Sequence, residues 1–269
     1  MSNPRYVIAG GAAGRERLRL LSEVMEPYTR ELIGWAGVGP GARCLDAGCG
    51  GGEVSYLLAE AVGPTGSVLG VDLDREQLAI VQEEAAGLGV GNVSFACHDL
   101  ATWEPDESFD FVHARFILSH LADPAGGLAR LVRHLRPGGW IMVEDIDYRG
   151  HFCEPDCPAL WRAVELYTEA VRQRGADANI GPRLPGLLRQ VGLEEVAMHV
   201  HAPARMAPGG IKELVALTAL RIAETAVGDG LESEEAMAHL TDELFAFARD
   251  PDTVLAGPRI CQAWGTRRI

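Results

Sequence analysis

Apolar residues recur at helical spacing between positions 15 and 33, where Leu18, Leu21, Val24, Met25, Tyr28 and Leu32 share one stripe. Pro27 interrupts that stripe, and a proline inside a helix removes a backbone bond and crowds the preceding turn, so two short helices are predicted. The pattern then changes to short apolar runs alternating with helical stretches. It predicts a strand over Arg43–Ala47, a glycine turn, a helix over Glu53–Val62, a Gly-Pro turn and a strand over 67–71. A helix over Arg75–Leu88, strands over Val93–Cys97 and 109–113 and a helix over 126–135 follow. The breaker Arg136-Pro137-Gly138-Gly139 precedes a fifth strand over 140–144. This alternation predicts a mostly parallel sheet.

The alternation breaks at residues 148–182, where a helix at about 159–174 sits between Pro-rich and Gly-rich edges. A helix over 183–191 leads into a strand around 195–201, and 208–249 is helical by period. The stretch 259–265 reads as a strand that closes the sheet.

With 47% apolar and 23% charged residues among 269, the chain is an ordinary globular protein, large enough for one domain or a domain with a lid. Its formal charge of −14 is spread along the whole length, which disfavours nucleic acid as a partner. No apolar run approaches a membrane span and the N-terminus lacks a signal-type apolar region, so a cytoplasmic location is expected. The six dispersed cysteines are expected to be reduced thiols. His151, Cys153 and Cys157 form an H-x-C-x3-C group without a fourth ligand nearby, and no metal is assigned to it.

The strongest chemical signal is Cys44-Leu45-Asp46-Ala47-Gly48-Cys49-Gly50-Gly51-Gly52, a strand ending in an acid and then a glycine turn opening a helix. Glycines there let a ligand approach the backbone closely. A dinucleotide fingerprint fails because Glu53 occupies the place of its third glycine. A carboxylate in the first helical turn would also oppose a pyrophosphate docked at that positive helix end. Asp72, ending the second strand, can accept hydrogen bonds from two ribose hydroxyls. Asp99, after the third strand, can accept from an adenine amino group while Leu100 and Leu73 sandwich the ring.

Asp46, Gly48, Gly50, Asp72 and Asp99 stand at successive strand ends, and with this order the chain resembles class I S-adenosylmethionine-dependent methyltransferases. Phe109-Asp110-Phe111-Val112-His113-Ala114-Arg115 and Leu135-Arg136-Pro137-Gly138-Gly139-Trp140 look like two further motifs of that family. The likeness covers about residues 40–146. More loosely, Tyr6 with Gly14 to Leu18, the stretch 180–188 and Ala263-Trp264-Gly265 resemble small-molecule methyltransferases of bacterial secondary metabolism.

The resemblance implies a Rossmann-like α/β fold with seven strands, a cap over 1–39, a cofactor-binding core over 40–146, a lid and substrate-binding insertion over 147–190, and completion of the sheet over 191–269 with a helical insertion at 208–249. It implies S-adenosylmethionine as cofactor, S-adenosylhomocysteine as product and a small-molecule methyl acceptor, with a homodimer compatible with the lid helices. Tyr6 and Arg17 become candidate contacts to the methionine half of the cofactor. His113 and Arg115, at the carboxyl edge after the fourth strand, face donor or acceptor, or else pack or cap a helix. His120 reads as structural. Glu144 and Asp145 end the fifth strand and border the acceptor space. For a hydroxyl acceptor, His113, Glu144, Asp145 or His151 would serve as base. Tyr148, Phe152, Trp161 and Tyr167, with His151, are candidate walls of an enclosed acceptor pocket. The alternative function is a methyltransferase fold that binds the cofactor but runs a non-methylating reaction such as a cyclisation. A dehydrogenase is disfavoured by Glu53 and by the missing Tyr-x-x-x-Lys pair.

Overall fold

A computed structural model describes residues 12–100, 102–103 and 108–269. Helix α1 (Ala12–Trp35) precedes strand β1 (Arg43–Ala47), of whose five residues four are buried, as befits a strand covered on both faces. The chain continues through α2 (Glu53–Val62), β2 (Ser67–Asp72), α3 (Arg75–Leu88), β3 (Val93–Cys97), β4 (Phe109–Arg115), α4 (Pro124–Arg133) and β5 (Leu135–Asp147). Then come β6 (Phe152–Glu154), α5 (Pro158–Gln173), α6 (Leu184–Gln190), β7 (Leu193–His201), β8 (Ala204–Arg205), α7 (Ile211–Gly228), α8 (Glu234–Arg249), β9 (Val254–Ala256) and β10 (Arg259–Arg267).

The main sheet has seven strands in the order β3-β2-β1-β4-β5-β10-β7. The pairings from β3 to β5 are parallel, and β10 runs antiparallel to both β5 and β7. Strand order reverses between β1 and β4, so the crevice at their carboxyl ends is where an open sheet of this kind receives a ligand. One face is covered by α2 and the end of α1, around Leu32, Leu58, Phe111 and Met142. The other is covered by α4 and α6, around Leu128, Leu135, Ile141 and Leu188. A third cluster joins Met25 of α1 to α5, α7 and α8 in a helical layer. Among the described residues no helix is long and apolar enough to cross a membrane.

Several expectations need correction. The N-terminal segment is one helix running through Pro27, not two. Ser22, Met25, Thr29, Leu32 and Ile33 form a continuous buried stripe, while Pro27 and Glu23 are exposed, so the carbonyl deprived of its amide partner faces water. The breaker at 136–139 does not end the ladder. It lies inside β5 as an irregularity, with register shifting between Phe109 and Phe111 and Gly138 at φ 77°. Helix α4 begins earlier than expected, because Asp123 caps it by accepting from the Gly126 amide at 2.9 Å and Pro124 suits the first turn. The region 208–249 is two helices, the second capped by Ser233. The lid reading over 147–190 is too long: α6 packs on the sheet face with α4, and α5 alone joins the helical layer. A three-stranded sheet, β6-β9-β8, has strands too short to leave a period in the sequence.

Candidate active site

The turn after β1 is shaped by conformations that side chains resist. Gly48 has φ 71°, and a Cβ there would fall 2.1 Å from the Ile117 side chain. Gly50 has φ 50° with nothing within 4 Å of where a Cβ would stand, so its open side faces the cavity it lines. Asp72 fixes this loop: one carboxylate oxygen accepts from the Gly50 amide at 2.9 Å and the other from the Asp74 amide at 3.0 Å. The Leu73 amide donates to the same carboxylate. Burial raises the Asp72 pKa, against the amides that lower it.

Beneath the loop a row of polar side chains crosses the sheet out of contact with water. Ser55 Oγ donates to Asp46 at 2.6 Å, and His113 Nδ1 donates to Asp46 at 3.0 Å. His113 Nε2 donates to Glu144 at 2.8 Å, and Gln262 Nε2 donates to Glu144 at 2.6 Å. Half-buried His201 extends the row toward the surface, bonded to Gln262 Oε1 at 2.8 Å. Thr29 Oγ1 on α1 also donates to Glu144, at 3.0 Å, and Arg115 reaches Thr29 at 3.5 Å and Ser22 at 3.2 Å. Burial would depress the His113 pKa, but its two carboxylate partners outweigh burial and hold it up at about 9, so the ring is an imidazolium. Glu144 is pushed up by burial and pulled further down by His113, Arg115 and Gln262.

Above the loop opens a cavity of about 970 Å³ that runs from the strand ends into the helical layer. Its strand end is walled by Asp46, Gly48, Gly50, Asp72 and Leu73, and its helical end by Arg17, Met25, Tyr148, His151, Tyr167, Leu214, Thr218 and Arg221. Tyr148 and Tyr167 stack with centroids 4.1 Å apart and 17° between planes. His151 lies 2.7 Å from the Tyr148 carbonyl through Nδ1. A carbonyl can only accept, so Nδ1 carries the proton and Nε2 keeps its lone pair. Burial lowers the His151 pKa to about 4.

The sequence model of a family described as a methyltransferase domain matches residues 39–180, just over half of the chain. The chain belongs to the class I methyltransferase family. Among curated proteins it is 37% identical over 139 residues to the arsenite methyltransferase of Aquipseudomonas alcaligenes, covering 47% of this chain and 40% of that protein. It is 38% identical over 120 residues to nocamycin O-methyltransferase of Saccharothrix syringae, covering 44% of this chain and 43% of that protein. The matched stretches thus span less than half the length of these relatives. Of solved structures, the [4+2]-cyclase SpnF shares the fold over 100% of this chain and 98% of its own, with a TM-score of 0.58 at 17% identity.

The methyltransferase geometry sorts the residues expected from sequence. Arg17, Asp46, Gly48, Gly50, Asp72, Leu73, Arg115, Tyr148, His151 and Tyr167 all line the cavity. Tyr6 lies outside the described residues. Asp99 and Leu100 are not among the lining residues: the turn after β3 folds back, with the Thr102 and Trp103 amides donating to the Asp99 carbonyl, and Leu100 packs toward the sheet. His113 and Glu144 are buried below the cavity with every hydrogen-bonding edge occupied, so neither reaches a reacting group. Asp145 is buried too, accepting from the Ser119 and Ile146 amides, with burial pushing its pKa up to about 6. Phe152 stands half-exposed on β6, and Trp161 lies on the outer face of α5, its Nε1 donating to Asp156 at 2.7 Å. Neither lines the cavity. Residues that the sequence reading missed include Thr29 and Gln262 in the polar row and Thr218 and Arg221 on α7. The signal for α7 was present, since Arg221 interrupts the apolar run Leu217-Thr218-Ala219-Leu220 before Ile222.

Proposed function

We propose that this protein transfers the methyl group of S-adenosylmethionine to a small organic acceptor enclosed between the strand ends and the helical layer. The carrying observation is the continuity of one cavity from Gly50 and Asp72 to Tyr148, His151 and Tyr167. The strand end suits the cofactor on its own geometry: Gly50 offers bare backbone, and the Asp72 carboxylate, held by amides of its own loop, stands on the cavity wall as an acceptor for ribose hydroxyls. Asp46, Gly48 and Leu73 would complete that end, with Asp99 and Leu100 on its flank. Tyr6 remains the residue proposed for the methionine half, whereas Arg17 lies at the helical end of the cavity with Thr218. When bound, the cofactor supplies an electrophilic methyl carbon on a sulfonium.

The chain's own contribution is then mainly alignment and exclusion of water by the helical layer. For a hydroxyl acceptor His151 is the base in reach of the chamber: neutral, with Nε2 free to take the proton while Nδ1 stays on the Tyr148 carbonyl. The nocamycin relative supports an acceptor of the secondary-metabolite kind. The cyclase likeness concerns the fold alone, and a non-methylating reaction is separated from transfer by whether S-adenosylhomocysteine accumulates. Calorimetric titration with S-adenosylmethionine and S-adenosylhomocysteine, against Asp72→Ala, tests the reading: micromolar-range binding lost in the variant is expected, and no binding by the intact chain overturns it.

A further inference from the structure

The two ends of the cavity differ in charge. Asp46, Glu53, Asp72, Asp74 and Glu76 outnumber Arg75 and Arg115 at the strand end, whereas at the helical end Arg17 of α1, Arg221 of α7 and Arg174 stand with Glu224 and Asp229. On a chain of net charge −14, two partly buried arginines on one cavity wall with no carboxylate of the described residues bonded to either require a reason.

Arg17 uses Nε to donate to Thr218 at 3.0 Å. Burial lowers its pKa, and Arg221 is close enough for its like charge to add to that. Arg221 Nε is out of contact with water and has no hydrogen-bond partner. Among the described residues no carboxylate pairs with either guanidinium. Arg174, whose Nε is likewise without a hydrogen-bond partner, is paired through Nη1 with Asp229 at 2.7 Å, and Arg115 donates to Ser22 and Thr29. Glu224, three residues beyond Arg221, is exposed. The stacked Tyr148 and Tyr167 and His120 share this end of the cavity, and burial first and Arg17 second keep His120 unprotonated. Guanidinium forks on a cavity wall are suited to planar oxyanions.

We infer that the acceptor carries an anionic oxygen group, a carboxylate or an ionised phenol or enol, which Arg17 and Arg221 hold beside the stacked tyrosines. This rests on the proposed function, because it assigns the helical end of the cavity to the acceptor. The rival source of the same chemistry is the methionine carboxylate of the cofactor. Such an acceptor would arrive with its charge already matched to the sulfonium, so the arginines would select for it and orient it at once.

The test titrates benzoate, salicylate and phenyl phosphate, each beside the neutral benzamide and benzyl alcohol, into the protein with and without S-adenosylhomocysteine. At least one anion should bind about tenfold more tightly than the neutral compounds, and Arg221→Gln and Arg17→Gln should each erase most of that preference. Arg221→Lys should keep part of it, which shows that the loss is one of charge and not of folding. The affinity of Arg221→Gln for S-adenosylhomocysteine should stay within about twofold of wild type. Equal binding of anions and neutral compounds, or no anion binding, overturns the inference. So does a parallel loss of S-adenosylhomocysteine affinity in Arg221→Gln, which would give the arginines to the cofactor. Failure of the intact chain to bind S-adenosylhomocysteine would instead remove the functional reading, and is read in a separate titration.

Discussion

Asp46, His113 and Glu144 are held out of water side by side, and the imidazolium between two carboxylates is what makes that tolerable. A histidine whose folded pKa is raised contributes stability that is complete below its unfolded value and is lost as pH rises through the folded one. With about 9 in the folded chain, that contribution, on the order of 3 kcal/mol, should fade between neutral pH and about pH 9. Urea unfolding across that range should show the loss, and His113→Gln should abolish its pH dependence while lowering stability at pH 7. Two other changes act in the cavity. His151→Phe should leave S-adenosylhomocysteine binding intact and reduce turnover of a hydroxyl acceptor about 10²-fold or more. Gly48→Ala forces a methyl against Ile117 at a left-handed φ and should cost about 1–3 kcal/mol, read by thermal unfolding.

At the scale of elements, α1 joins the helical layer to the sheet. Its Met25 packs with α5 and α7, its Leu32 with the sheet face, and between them Thr29 donates to Glu144 on β5. Thr29→Val keeps the shape but strips a donor from a buried carboxylate, so a loss of about 1–3 kcal/mol is expected in denaturant titration, with cofactor affinity falling as the cap loosens. Much of the α/β alternation was legible: β1, α2, α3 and β3 have the bounds that their sequence pattern predicts. So was the place of Asp72, Gly50, Tyr148 and Tyr167 on the cavity wall, because a strand end and an aromatic segment are marked by local sequence. Pro27 misled because tertiary packing carried the helix across it. His113 and Glu144 misled because position at a carboxyl edge does not say whether a side chain points into the cavity or into the row beneath it. That depends on Gln262, Ser55 and Thr29, which come from distant parts of the chain.

Across the whole molecule, acid and alkaline limits have different origins. His120 and His151 are both lowered to about 4, chiefly by burial, so the unfolded chain binds more protons than the folded one between that value and about 6.5, and stability should rise with pH through this range. Asp145, raised to about 6, partly opposes them. The expected profile is a maximum near neutrality with a His113-controlled fall above it, checked by the denaturation midpoint at a series of pH values. One feature of the sheet also orders events in time. β10 pairs on one side with β5 and on the other with β7, and its first residue, Arg259, lies 112 positions beyond its ladder partner Asp147. As the chain leaves the ribosome, β5 therefore waits with a bare edge while α5, α7 and α8 are being made, and β7 has no neighbour in the main sheet until β10 emerges. The binding crevice between β1 and β4 can form early, but the sheet behind it is sealed only when a strand 112 positions downstream arrives, which makes this edge the natural point for a chaperone to guard.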